Sequence, residues 1–209
     1  MIKAIFLDFE GVITNSPMLL HKNLYGKIKN EISYEDFDAR YQPAKIGEST
    51  YKEFLKGFEK YEKSLLKFVK FRKGAKKVLN YFYLKKIPMF LASNHIDELA
   101  EKEVKILGIE KYFKKMFFSH KLRLAKPDEK FFGEILKQSG LNFKKNEMIF
   151  IDDAKRNLLV AKKFGFVTVY ANNGMSEDRR NRIDFKADYE IKNLLELITI
   201  FEELNKNCP

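Results

Sequence analysis

Two hydrophobic rhythms run along the chain. Short continuous apolar runs occur at Ile2 to Leu7 and within "IPMFLASN", "KMFFSH", "EMIFIDD" and "FVTVYANNG". Runs of this kind predict strands covered on both faces, as in a parallel sheet. Pro88 fits a strand start. Between these runs, apolar residues recur at helical spacing. Ala75, Val78, Leu79 and Phe82 mark one helix face. "HIDELAEKEVKILGI" predicts a helix closed by Gly108. "KPDEKFFGEILKQSG" predicts another, with Pro127 and Asp128 near its start and Gly140 at its end. "AKRNLLVAKKFG" and the terminal "NLLELITIFEEL" complete the set. From residue 74 onward helix and strand alternate, which predicts an α/β fold of three layers, a parallel sheet with helices on both faces.

Residues 17–72 break the alternation. They carry helical spacing (Tyr51, Phe54, Leu55, Phe58) and many aromatics, but no convincing strand. This predicts a helical insertion, with residues 1–16 and 73–209 forming the α/β domain around it.

Bulk composition narrows the function classes. The chain has 209 residues, 45% of them hydrophobic, enough for a substantial core. No apolar run approaches the roughly 18 residues a membrane span needs. No signal-peptide pattern is visible at the start, and the single cysteine, Cys208, can form no internal disulfide. A reducing cytoplasm is the plain expectation. Net charge is +11, but the excess is spread: residues 17–72 hold 12 Lys+Arg and 8 Asp+Glu, a difference of 12 − 8 = +4. Lysines alternate with acids in "EKYEKSLLKF" and "ELAEKEVK", which points to a solvated surface and away from nucleic acid. A positive field would still attract anionic substrates.

Chemistry-bearing residues collect at strand ends. The first strand delivers Asp8 and Glu10, the second Ser93 and Asn94, and the fourth Asp152 and Asp153; Lys126 opens the helix after the third. Ligands of open parallel sheets bind at the carboxyl ends of strands, so groups far apart in sequence converge on one edge.

With these four elements in this order, the chain resembles the haloacid dehalogenase superfamily over nearly its whole length. "DFEGVIT" is similar to the family's first motif, Ser93 in "FLASN" to the second, Lys126 in "AKPD" to the third, and "IFIDDAKRN" to the fourth. The insertion resembles the small helical cap of the first subclass, and the core a Rossmann-like one. Most members are magnesium-dependent phosphatases acting on small phosphorylated metabolites. The resemblance implies that Asp8 is the nucleophile forming an aspartyl-phosphate and that Glu10 is the general acid/base. Glu10 departs from the usual Asp, a variant shared with the enolase-phosphatase branch. Ser93 and Lys126 would bind the phosphoryl group, and Asn94 substrate or nearby backbone. Gly11 would permit a tight turn, and Thr14 would either cap or hydrogen-bond Asp8 or have a purely structural role. Magnesium would be held by Asp8, Asp153 and the Glu10 backbone carbonyl, with Asp152 acting through water or orienting Lys126; Asn157 would support the pair from behind. Arg40, Tyr41, Gln42 and Lys45 could face a substrate. His21, His95 and His120 read as surface or packing residues, His95 near the site. Other readings remain: a phosphomutase, a dehalogenase, or a basic binding module on a weakened catalytic scaffold.

Overall fold

The computed structural model describes residues 1–14, 19–144, 146–172 and 182–206. Cys208 and most of the basic run at 177–182 lie outside them. The described strands are β1 (Ala4–Leu7), β2 (Met89–Ser93), β3 (Lys115–Phe118), β4 (Met148–Asp152), β5 (Val167–Ala171) and β6 (Tyr189–Ile191). They form one parallel sheet in the order β3-β2-β1-β4-β5-β6. All five expected strands are present. β6 was not anticipated: it has three residues, only Ile191 is buried, and it pairs with β5 alone.

Between β1 and the next core helix runs the helical insertion. A π-helical segment, Leu19–Tyr25, continues into α1 (Gly26–Ile28), followed by α2 (Tyr34–Lys45), α3 (Tyr51–Leu55) and α4 (Glu62–Leu66). Local chemistry sets the helix starts. The Ser33 hydroxyl accepts the Asp36 amide at 3.0 Å, and Thr50 with Glu53 forms a reciprocal capping box. The insertion has its own apolar core, including Leu24, Phe37, Phe54 and Leu65.

The remaining helices are α5 (Ala75–Leu84), α6 (Asp97–Leu107), α7 (Ser119–Leu122), α8 (Glu129–Ser139), α9 (Lys155–Lys163) and α10 (Glu196–Lys206). Side chains of a strand alternate between faces. β1 therefore sends Ile5 and Leu7 into a layer with α5 and α10, and Ala4 and Phe6 into a layer with α8 and α9. Phe6 stacks on Phe90 at 4.6 Å between ring centroids, and Phe131, Phe132 and Phe166 fill the same fully buried layer. Each such ring contributes roughly 1.5–3 kcal/mol by leaving water. Ile96 and Leu99 of the α6 region pack with the insertion, joining it to the core.

Register explains the site. Leu7 pairs with Leu91 on one side and Ile151 on the other, so Asp8, Ser93 and Asp152 emerge at one edge. The chain leaves for the insertion and returns beside itself: Thr14 bridges Phe71, and the Arg72 amide donates to the Ile13 carbonyl at 2.8 Å. The Arg72 guanidinium, 8% exposed, then donates to the carbonyls of Gly11 (2.7 Å), Asn172 (2.9 Å) and Lys192 (3.0 Å). It ties together the turns after β1, β5 and β6. Gly11 sits at φ 78°, where a side chain would be strained, as its place in a tight turn requires.

Candidate active site

Asp8 follows β1 directly. Its Oδ1 accepts the Phe9 amide at 2.8 Å and lies 2.9 Å from Lys126 Nζ. Thr14 does not bond Asp8, contrary to one expectation: its buried hydroxyl has no hydrogen-bond partner among the described residues. Its backbone instead closes the turn onto the Phe9 carbonyl. Lys126, 3% exposed, also donates to Asp152 Oδ2 at 2.6 Å. Burial works against its charge, but Asp152 and Asp8 outweigh burial and hold its pKa above the ordinary lysine value.

Asp152 is filled on every side. Beyond Lys126, it accepts the Ala154 amide at 2.8 Å and both oxygens accept from Asn157 Nδ2 at 3.0 Å. Its geometry serves Lys126. Asn94 holds the same lysine from the backbone: its Nδ2 donates to the Lys126 carbonyl and its Oδ1 accepts the Lys126 amide, both at 2.8 Å. Both ends of the Asn94 amide are thus spent on aligning Lys126.

Asp8, Asp152 and Asp153, all buried, each offer a carboxylate oxygen within 4.8 Å of the others. Three carboxylates crowd around one ammonium in this buried site, and the Arg72 guanidinium also feels the Asp153 charge; gathering like charges away from water is costly and favours a bound cation. Nearby Asn157 Oδ1 is buried without a hydrogen-bond partner among the described residues. Hard oxygen donors with an orphaned carbonyl beside them fit a magnesium ion.

Glu10 stands on the wall of the same cavity. Burial, Glu103, Asp8 and Asp153 push its carboxyl up to about 8, against the lowering pull of His95. It therefore holds a proton near neutral pH, as a general acid must. Behind it lie His95 and Glu103, with His95 Nε2 3.4 Å from Glu103 Oε1. Burial works against the imidazole's charge, but Glu103 and Glu10 hold its pKa above the ordinary histidine value.

The cavity has a volume of about 560 Å³ and lies between core and insertion. Asp8, Glu10, Ser93, Asn94 and Lys126 line it from the core, and His21, Tyr34, Asp38, Tyr41, Gln42 and Lys45 from the insertion. Ser93 closes β2 and is buried. Arg40 is not part of the lining: it donates to the Lys56 carbonyl at 3.0 Å and lies over the Phe58 ring. His21 does line the cavity, its ring 4.6 Å from Tyr41. Arg156, on the first turn of α9, is a wall residue that the sequence did not single out. It faces Lys45, whose pKa is lowered by burial and by Arg156. Two cations at one mouth attract an anion.

Among the described residues no helix is long and apolar enough to cross a membrane.

Comparison with known proteins follows the same line. The chain is 27% identical over 97 residues to a phosphorylated carbohydrates phosphatase of Thermotoga maritima, covering 46% of this chain and 44% of that protein. It is 30% identical over 103 residues to a glyceraldehyde 3-phosphate phosphatase of Methanopyrus kandleri, covering 48% of this chain and 43% of that one. It thus spans under half the length of these two relatives. A solved haloacid dehalogenase family enzyme of Bacteroides thetaiotaomicron, a variant in complex with magnesium and inorganic phosphate, shares the fold. Its TM-score is 0.68 at 22% identity, covering 83% of this chain and 96% of that one. The model of the haloacid dehalogenase-like hydrolase family matches residues 5–171, from β1 to the end of β5, and takes in the helical insertion and all four strand-end motifs. The chain belongs to the haloacid dehalogenase-like hydrolase family.

Proposed function

We propose that the protein is a magnesium-dependent phosphatase that hydrolyses a small phosphorylated metabolite through an aspartyl-phosphate on Asp8. The observation that carries this reading is the buried Asp8–Lys126–Asp152 contact beside Asp153, at a cavity with Glu10 on its wall.

An Asp8 oxygen attacks phosphorus as the bond to the substrate oxygen breaks. The Glu10 proton goes to that departing oxygen. Water then attacks phosphorus, gives its proton back to Glu10 and frees Asp8. Ser93 and Lys126 hold the phosphoryl oxygens, Lys126 by charge; Asn94 keeps Lys126 in line and borders the substrate. Asp8, Asp153 and the Glu10 carbonyl would hold magnesium, with Asp152 behind them. When bound, the ion supplies the positive charge that lets a carboxylate approach a phosphate.

The helical insertion, residues 17–72, acts as a cap over the core formed by 1–16 and 73–209, opening for substrate and excluding water when closed. Lys45 and Arg156 favour an anionic substrate. A sugar or triose phosphate is the class that the two relatives' activities support, and the cavity volume accommodates it. Metal-free dehalogenation would leave the buried carboxylates without their cation, and a mutase would return phosphate to its substrate, which product analysis detects.

The test is a screen of sugar and triose phosphates with magnesium or with EDTA, followed by Asp8→Asn. Activity should require the metal and fall by on the order of 10⁴ or more in the variant. Full metal-dependent turnover by Asp8→Asn would sink the mechanism.

A further inference from the structure

Behind the catalytic cavity lies a second titratable cluster. Glu10, His95 and Glu103 each bring a ligand-type atom within 4.8 Å of the others. Glu103 sits on α6 with 1% exposure, and His95 Nε2 is the one cation within ion-pair reach of it among the described residues. A buried carboxylate with so little compensation costs stability, commonly several kcal/mol per ion. Neither Glu103 Oε1 nor His95 Nε2 completes a hydrogen bond among the described residues. The fold keeps an expensive pair next to Glu10, on the wall of the cavity.

His95 is fixed on its other sides. Its amide donates to Ser119 Oγ at 2.9 Å, and its carbonyl lies 2.9 Å from His120 Nδ1. Its own Nδ1 accepts the Ile96 amide at 3.0 Å, and lies 3.2 Å from the Ile96 carbonyl. In the neutral ring with Nδ1 accepting, the hydrogen is on Nε2. In the charged ring, Nδ1 donates to the carbonyl and Nε2 again carries hydrogen. In both of these forms Nε2 is a donor facing Glu103 at 3.4 Å, with Glu10 in the same cluster.

We propose that His95 and Glu103 form a positioning pair for the proposed phosphatase reaction, Glu103 orienting the imidazole and the imidazole orienting the Glu10 carboxyl for proton delivery to the departing alcohol. Neither residue touches substrate. The proposal rests on the phosphatase reading, and its effect is confined to substrates that need their leaving oxygen protonated.

The experiment compares kcat/KM for an alkyl phosphate and for p-nitrophenyl phosphate. This ratio reads the steps up to alcohol release, and nitrophenolate departs without a proton. Glu10→Gln should lower the alkyl value by about 10²–10⁴ and the aryl value by no more than about threefold. His95→Ala and the isosteric Glu103→Gln should show the same selectivity, with an alkyl loss of about tenfold or more. In His95→Ala/Glu10→Gln the alkyl loss should equal that of Glu10→Gln alone, because the pair acts through Glu10. If His95→Ala does not fold, Glu103→Gln alone decides. Equal losses on both substrates, full additivity with Glu10→Gln, or a divalent-ion site lost in His95→Ala would each overturn the proposal. If the wild type turns over neither ester, the phosphatase reading has failed instead.

Discussion

Replacing Lys126 with Met keeps an unbranched four-atom stem and deletes the charged ammonium. The ammonium lies 2.9 Å from Asp8 and 2.6 Å from Asp152, and all three groups are buried. Removing it leaves the Asp8 and Asp152 carboxylates without the ammonium that both contact. Breaking a buried pair in this way costs about 3–5 kcal/mol. For a chain of this size each kcal/mol moves the melting temperature by roughly 2–4 °C, so metal-free Lys126→Met should melt about 6–20 °C lower at pH 8. The sign of the pH effect follows from the groups left behind. The wild-type lysine has a raised folded pKa, so its contribution is complete below the unfolded lysine value near 10 and is lost only above that. Burial and Asp8 already raise the Asp152 carboxyl against the lowering pull of Lys126, so losing the ammonium raises it further. The deficit should therefore shrink as pH falls and protons replace the missing ammonium. Magnesium should shrink it too, since a divalent ion supplies the same compensation. Thermal denaturation at pH 5 and pH 8, with magnesium or EDTA, reads both effects. A variant that melts within 2 °C of wild type in EDTA at pH 8, or a deficit unmoved by pH and metal, would refute charge compensation as the role of Lys126.

Glu10 has a folded pKa of about 8 against an ordinary value of 4.5, so wild type should lose stability relative to Glu10→Gln as pH rises through that interval, measured by parallel urea titrations. Asp153→Ala should weaken magnesium binding by on the order of 10-fold or more, read by isothermal titration calorimetry. Lys45→Ala and Arg156→Ala should each raise KM for an anionic substrate by about 3- to 10-fold with kcat nearly unchanged, and flatten the salt dependence of kcat/KM.

The sheet was legible because its strands are buried on both faces and so write continuous apolar runs. β6 escaped because three residues with a single neighbour need no such run. Asp8, Ser93 and Asp152 stood out as polar residues at the ends of apolar strands, and Lys126 by its place in "AKPD" before a helix. Arg72 was not, since nothing in "FVKFRKG" separates a guanidinium serving three carbonyls from its exposed neighbours. Glu103 was read as surface within "ELAEKEVK". Alternating charge hid the helical phase: it lies four residues after Leu99, on the face that Leu99 and Ala100 bury. Glu98 and Lys102 of the same stretch are paired near the surface, as the reading expected.

The contact of Thr14 with Phe71 bears on how such a chain can diversify. The ends of the insertion are pinned together by the core's own backbone bonds and by the reach of Arg72. Closure entropy grows only with the logarithm of loop length, by about 0.6 kcal/mol per doubling. The segment between the pinned ends can therefore lengthen, shorten or be exchanged at little thermodynamic penalty to the sheet. The carboxylates keep their register while the opposite wall of the cavity is rewritten. A grafted insertion from another chain, joined at these two neighbouring residues, would meet a socket already shaped to receive it.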